Sequence, residues 1–165
     1  MADAGNTNSN VEVFLDEVRS KMSGALDYTP KDSNDKWIFA EVSIDDTASA
    51  DLLAIAAGAG SDYPDYFGTS TAVASGDKVL WIAIKSLTTT STEGIGINID
   101  GGDASYDEAD LLVVGPNELF IMKCPNTTVA NIHARSCTLH SDNYPSAQGS
   151  ATINAHVAAI LDDVA

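Results

Sequence analysis

The spacing of apolar positions changes along the chain, and each change predicts an element. Near the N-terminus the steps are helical. Val11, Phe14, Leu15, Val18 and Met22 recur at intervals of three and four residues, or one where Leu15 follows Phe14. Ser9 stands three residues before Glu12, the spacing of a capping box. The pattern predicts an amphipathic helix ending near Gly24, after a polar tail over residues 1–9. A turn-rich connector from Asp27 to Asp35, containing Pro30, follows it.

The middle of the chain alternates with period two. Ile38, Ala40, Val42 and Ile44 share one face of a strand over 36–44. Val79 to Leu87 is apolar on both sides, with Leu80, Ile82 and Ile84 on one face and Val79, Trp81 and Ala83 on the other. Ile95, Ile97 and Ile99 alternate with Gly94, Gly96 and Asn98. Further strands are expected over 111–114, 119–124 and 129–139, with Ile82, Ile84, Ile97 and Val113 buried. Ala48 to Ala59 fits a short helix or a strand, and Ser61 to Ser75 reads as a loop carrying Tyr63, Tyr66 and Phe67. Helical spacing returns at the C-terminus, where Ile153, Val157, Ile160, Leu161 and Val164 form a stripe behind a Ser150 cap. Asp162 and Asp163 would oppose the dipole of that helix.

Short strands separated by frequent turn signals predict an all-β fold, an antiparallel β-sandwich of jelly-roll type, with a helix at each terminus. Its segments are an N-terminal tail and helix over 1–26, a sandwich over 27–149 and a C-terminal helix over 150–165, all in one domain.

Composition narrows the function. The 165 residues hold 24 acids and 8 bases, a net charge of −16. Nucleic-acid binding is excluded as an expectation, because phosphate contacts need clustered Lys and Arg. Docking on an anionic membrane is disfavoured for the same reason, and no apolar run reaches the roughly 20 residues of a membrane span. Residues 1–10 are polar without an apolar core, unlike a secretory signal. Cys124 and Cys137 are then expected as two buried free thiols.

Candidate chemistry is sparse. Cys124, His133, Cys137 and His140 have the composition of a Cys2His2 zinc site but not a finger's order or spacing. Ser33 and Lys36 match a Ser-x-x-Lys pair without its companion motifs. Asp100, Asp103, Asp107, Glu108 and Asp110 place five acids in eleven residues. That stretch lacks the alternating Asp ligands of an EF-hand. It reads as a solvated acidic loop, with calcium as the open alternative. The reading is a non-enzyme with no cofactor and no resident metal.

The order of Gly76-Asp77-Lys78-Val79-Leu80-Trp81-Ile82-Ala83-Ile84-Lys85, Asp100-Gly101-Gly102, Gly115-Pro116-Asn117-Glu118 and Pro125-Asn126-Thr127-Thr128-Val129-Ala130-Asn131-Ile132-His133-Ala134 resembles small structural proteins of tailed marine bacteriophages, of the capsid decoration (cement) type. The resemblance carries strand-and-turn texture and no site residue. It implies a virion protein on the outer surface of the capsid, assembled in the host cytoplasm, with the major capsid protein as partner and a homo-oligomeric state. The acidic surface suits the outside of a head that holds DNA. The two apolar stripes, Val11, Phe14, Leu15, Val18, Met22 and Ile153, Val157, Ile160, Leu161, are the expected capsid or subunit interface. The alternative is a carbohydrate- or cell-surface-binding module, which an exposed Trp or Tyr row over a sheet would favour.

Overall fold

The computed structural model describes residues 5–15, 18–28, 36–46, 50–53, 73–124, 126–140 and 144–162. The chain divides into two compact units, Met1–Asp35 and Lys36–Ala165.

The first unit is an antiparallel hairpin of β1 (Gly5–Leu15) and β2 (Val18–Tyr28). The expected N-terminal helix does not form. Asn6, Thr7, Asn8, Ser9, Asn10, Val11 and Val13 crowd one strand with poor helix formers. The helical steps have a second geometric meaning. Val11 lies opposite Met22 and Leu15 opposite Val18, so steps across the turn also bring residues onto one face.

The second unit contains β3 (Lys36–Ile44), β4 (Ala50–Asp51), β5 (Lys78–Ser86), β6 (Glu93–Asn98), β7 (Leu112–Val114), β8 (Leu119–Met122), β9 (His133–Leu139), β10 (Pro145–Gln148) and β11 (Ile153–Asp162). Every pairing is antiparallel. One sheet has the order β3-β11-β5-β8. The other has β10-β9-β6-β7, with β4 also on β9. Their inner faces share one core. Val42, Ile44, Ile82, Ile84, Ala155 and Val157 come from the first sheet, and Ile95, Ile97, Val114 and Ala134 from the second. The molecule is therefore all-β and sandwich-like in this unit.

The C-terminal helix is also replaced by a strand, and a central one. β11 pairs with β3 on one side and β5 on the other. Ile153, Ala155, Val157, Ala159 and Leu161 alternate inward and are all buried. The period of two is hidden in the sequence because two of the inward positions are Ala. Counting only large side chains leaves 153, 157, 160 and 161, which mimics a helix. β11 is thus part of the β3-β11-β5-β8 sheet.

β3 keeps the expected face, with Val42 and Ile44 buried and Ala40 packed on the core. β5 departs from strict alternation. Ile160 faces Trp81 while Leu161 faces Val79, so Leu80 is an extra residue in a bulge. The bulge puts Val79, not Leu80, in the core beside Ile82 and Ile84. In β7 the buried residue is Val114, and Val113 is only half-buried because it sits on the outer face opposite Gly96. Val129–Asn131 is a 3-10 turn rather than the start of β9. Of the ambiguous stretch 48–59, Ala50–Asp51 is strand and Leu52 and Leu53 are fully buried. Residues 54–72, with the tyrosine loop, and Ser33 lie outside the described residues.

Gly94 and Gly96 are explained by close packing. A Cβ on Gly94 would lie 2.9 Å from the Leu139 side chain, and one on Gly96 would lie 3.0 Å from Leu111. Both leucines lie over the outer face of the β9-β6-β7 sheet, so that face is partly covered too.

Candidate interaction surfaces

The register of the hairpin sorts its residues onto two faces, since residues directly opposite share a face. One face takes Thr7, Ser9, Val11, Val13 and Leu15 from β1, with Val18, Ser20, Met22, Gly24 and Leu26 from β2. It has no charged residue. The other takes Glu12, Phe14, Arg19, Lys21 and Asp27, with Glu12 opposite Lys21. Four of the five expected N-terminal interface residues, Val11, Leu15, Val18 and Met22, therefore still share a face. Phe14 goes to the charged face, opposite Arg19.

The C-terminal group is placed differently. Ile153, Val157 and Leu161 are buried in the core between the sheets. Ile160 is buried on the other face of β11, opposite Trp81, which is itself only 6% exposed. The cover that the sequence demanded for this stripe is supplied within the chain.

The acidic stretch 100–110 is a set of tight turns. Asn98 Oδ1 accepts from the Asp100 N–H at 2.9 Å, and Asp100 Oδ1 accepts from the Gly102 N–H at 3.0 Å. The Gly102 N–H bond is the main reason that the Asp100 carboxyl titrates below its usual value. Gly101 has φ 91°, and its N–H donates to the Asn131 carbonyl. Ser105 Oγ donates to Asp107 Oδ1 at 2.5 Å, which lowers the pKa of Asp107. Asp103 meets Arg135 at 3.6 Å. Among the described residues no group of three or more His, Cys, Asp or Glu is placed to hold a metal. The zinc set is dispersed accordingly. Cys124 is in the core, His133 Nε2 lies 3.0 Å from the Ala130 carbonyl, and His140 stacks on Tyr144. Cys137 is buried on β9. Burial raises both thiols to about 11.

A cleft of about 160 Å³ lies where β6, β9 and the residues after β10 meet. Glu93 and Cys137 are in its lining. The Thr88 hydroxyl donates to Glu93 Oε2 at 2.8 Å, and burial raises the Cys137 thiol to about 11.

The outer face of the β3-β11-β5-β8 sheet carries Phe39, the most exposed large apolar residue described, at 68%. Its ring lies 5.7 Å from that of His156, and His156 Nε2 lies 3.7 Å from Glu41. Sequence reasoning did not single out Phe39. Its odd position in an even-numbered apolar series was the available signal. The other exposed aromatics described, Tyr106 and Tyr144, stand on different elements.

No family model, curated protein or solved structure matches the chain in comparisons with known proteins.

Proposed function

We propose that the chain is a structural, protein-binding component of a virus particle: a capsid decoration protein that holds the outer face of major capsid subunits. The observation that carries this reading is the hairpin. A two-stranded ribbon alone is marginal in water and needs a surface to cover one face. This ribbon has an uncharged, mainly apolar face. Its strands carry Glu12 and Asp27 against Arg19 and Lys21, and Asp16 and Glu17 between them bring residues 5–28 to −2 in a chain of −16.

The strand order supports the finer description as a jelly roll. Setting β10 aside, the chain visits the two sheets so that β3-β11-β5-β8 faces β4-β9-β6-β7. That is the winding of two interleaved Greek keys, an architecture shared by viral capsid and lectin domains. The sharing is an analogy of fold.

Mass spectrometry of purified particles of the phage that encodes the chain should find it there. Full-length protein carrying Val13→Asp, on the uncharged face, should lose co-sedimentation with those capsids. Asn10→Asp, on the other face, should keep it, and both should melt like the parent sandwich. Absence from virions, or equal attachment of both variants, would overturn the reading.

A further inference from the structure

We propose that β3 is a docking edge that receives an extended, Lys- or Arg-bearing strand of another protein, added beside β3 as a fifth strand of the β3-β11-β5-β8 sheet. The proposal stands without the capsid reading, since it concerns a different unit of the chain.

Sheet edges present a row of main-chain donors and acceptors, and proteins blunt them by shortness, Pro, bulges or charges. The described margins of the two sheets mostly follow this rule. β8 and β10 have four residues each, β7 has three and β4 has two. β3 has nine, Lys-Trp-Ile-Phe-Ala-Glu-Val-Ser-Ile, without Pro. Its register with β11 runs unbroken from Lys36 to Ile44, so no bulge twists it away. Among the described residues β11 is its one partner strand. Its outer face exposes Phe39, Glu41 and Ser43 in alternation, and its inner face continues the core through Ala40, Val42 and Ile44.

Charge selects the occupant. Glu41 is exposed and accepts from Asn154 Nδ2 at 3.3 Å, which holds its carboxylate on the outer face. Asp45 is exposed just beyond this end of the strand, and the one base of β3, Lys36, stands at its far end, five residues from Glu41. A second copy of β3 would bring together two chains of −16 each. Pairing Phe39 with Phe39 would then be opposed by the two whole-chain fields. A strand with an apolar residue opposite Phe39 and a basic one opposite Glu41 gains from both. Main-chain bonds supply the affinity and the alternate side chains the selectivity, as in strand addition generally.

The test uses the full-length chain and a capped peptide, Lys-Val-Thr-Val-Lys-Val-Ile-Val-Thr, followed by backbone amide NMR shifts and calorimetry at about 0.15 M salt, where long-range attraction is screened. Shifts confined to β3 and its β11 partners are expected. Two versions N-methylated at alternate residues keep the charge. The version that blocks the amides facing β3 should lose binding, and the other should retain it. Glu41→Lys should weaken the peptide by about fivefold or more, the scale of one cross-strand charge pair, and should favour the peptide with Glu in place of Lys. Equal binding of both N-methylated versions would reduce the effect to charge attraction and overturn the proposal. So would shifts centred on 100–110, or peptide-free dimerisation that Phe39→Ser abolishes.

Discussion

Cys124 and Cys137 show how burial, rather than residue type, sets chemistry. Both are free thiols; Cys124 is part of the core between the sheets, and Cys137 is buried on β9 outside that cluster. Loss of solvation is the cause that lifts each from 9.0 to about 11. Reactivity belongs to the thiolate, so folded protein at pH 8 should consume almost no thiol reagent, and denatured protein should consume two equivalents. The linkage has a definite sign. Between pH 9 and 11 the unfolded chain loses protons that the folded chain keeps. Stability should therefore fall as pH rises through that window. Melting curves of the Cys124→Ala, Cys137→Ala double variant should show less of that alkaline loss than the parent. An equal loss would assign it to other groups.

At the scale of the element, β11 is the clearest lesson. It pairs with a strand on each side, and the small residues between its large ones disguise its period. Ala159 is fully buried on the inward row, while Ala158 beside it is half-exposed on the outer face. Ala159→Leu should cost about 1–3 kcal/mol, because a packed interior must shift to admit three more carbons. Ala158→Leu should cost much less. Chemical denaturation of the two variants compares them directly, and similar midpoints would show that the inward row of β11 is misassigned. The short turns obey local rules more closely. In Gly115-Pro116-Asn117-Glu118, Asn117 takes φ 58° and Glu118 Oε2 accepts from the Gly115 N–H at 2.8 Å. Lys85 on β5 reaches the Asn117 carbonyl and, at 2.6 Å, its Oδ1.

For the whole molecule the dominant physical fact is 24 acids against 8 bases. Self-repulsion at that charge is strongest in dilute buffer, where the Debye length is roughly 30 Å at 0.01 M ionic strength. Monovalent salt should therefore raise the melting temperature without any specific ion. In the densest acidic run, 100–110, Asp100 and Asp107 accept from Gly102 and Ser105 within its own turns, and Asp103 meets Arg135 of β9. Calcium and magnesium at matched ionic strength should then stabilise alike, as screening ions. A calcium-specific rise that disappears in Asp103→Asn would instead establish a metal site in that loop, by mass action.

The sequence by itself determined the alternating strands of the middle, the buried faces of β3 and β6, the turns between strands, and the charge that limits possible partners. These are local properties. A strand's side-chain period and a turn's need for Gly, Pro or Asn are written within a few residues. The terminal segments were misread for one physical reason. Steps of three and four describe a helix, but also a hairpin that folds back after Leu15 and a strand whose missing beats are Ala155 and Ala159. Pairing partners far along the chain separate these cases, and only the tertiary structure supplies them. It took Ile153, Val157, Ile160 and Leu161 from a candidate interface into the interior, and kept Val11, Leu15, Val18 and Met22 together on one face of the ribbon. It also decided that, among the described strands, β3 stands at the margin of its sheet with Phe39 exposed, because which strand becomes an edge depends on the order of all the others.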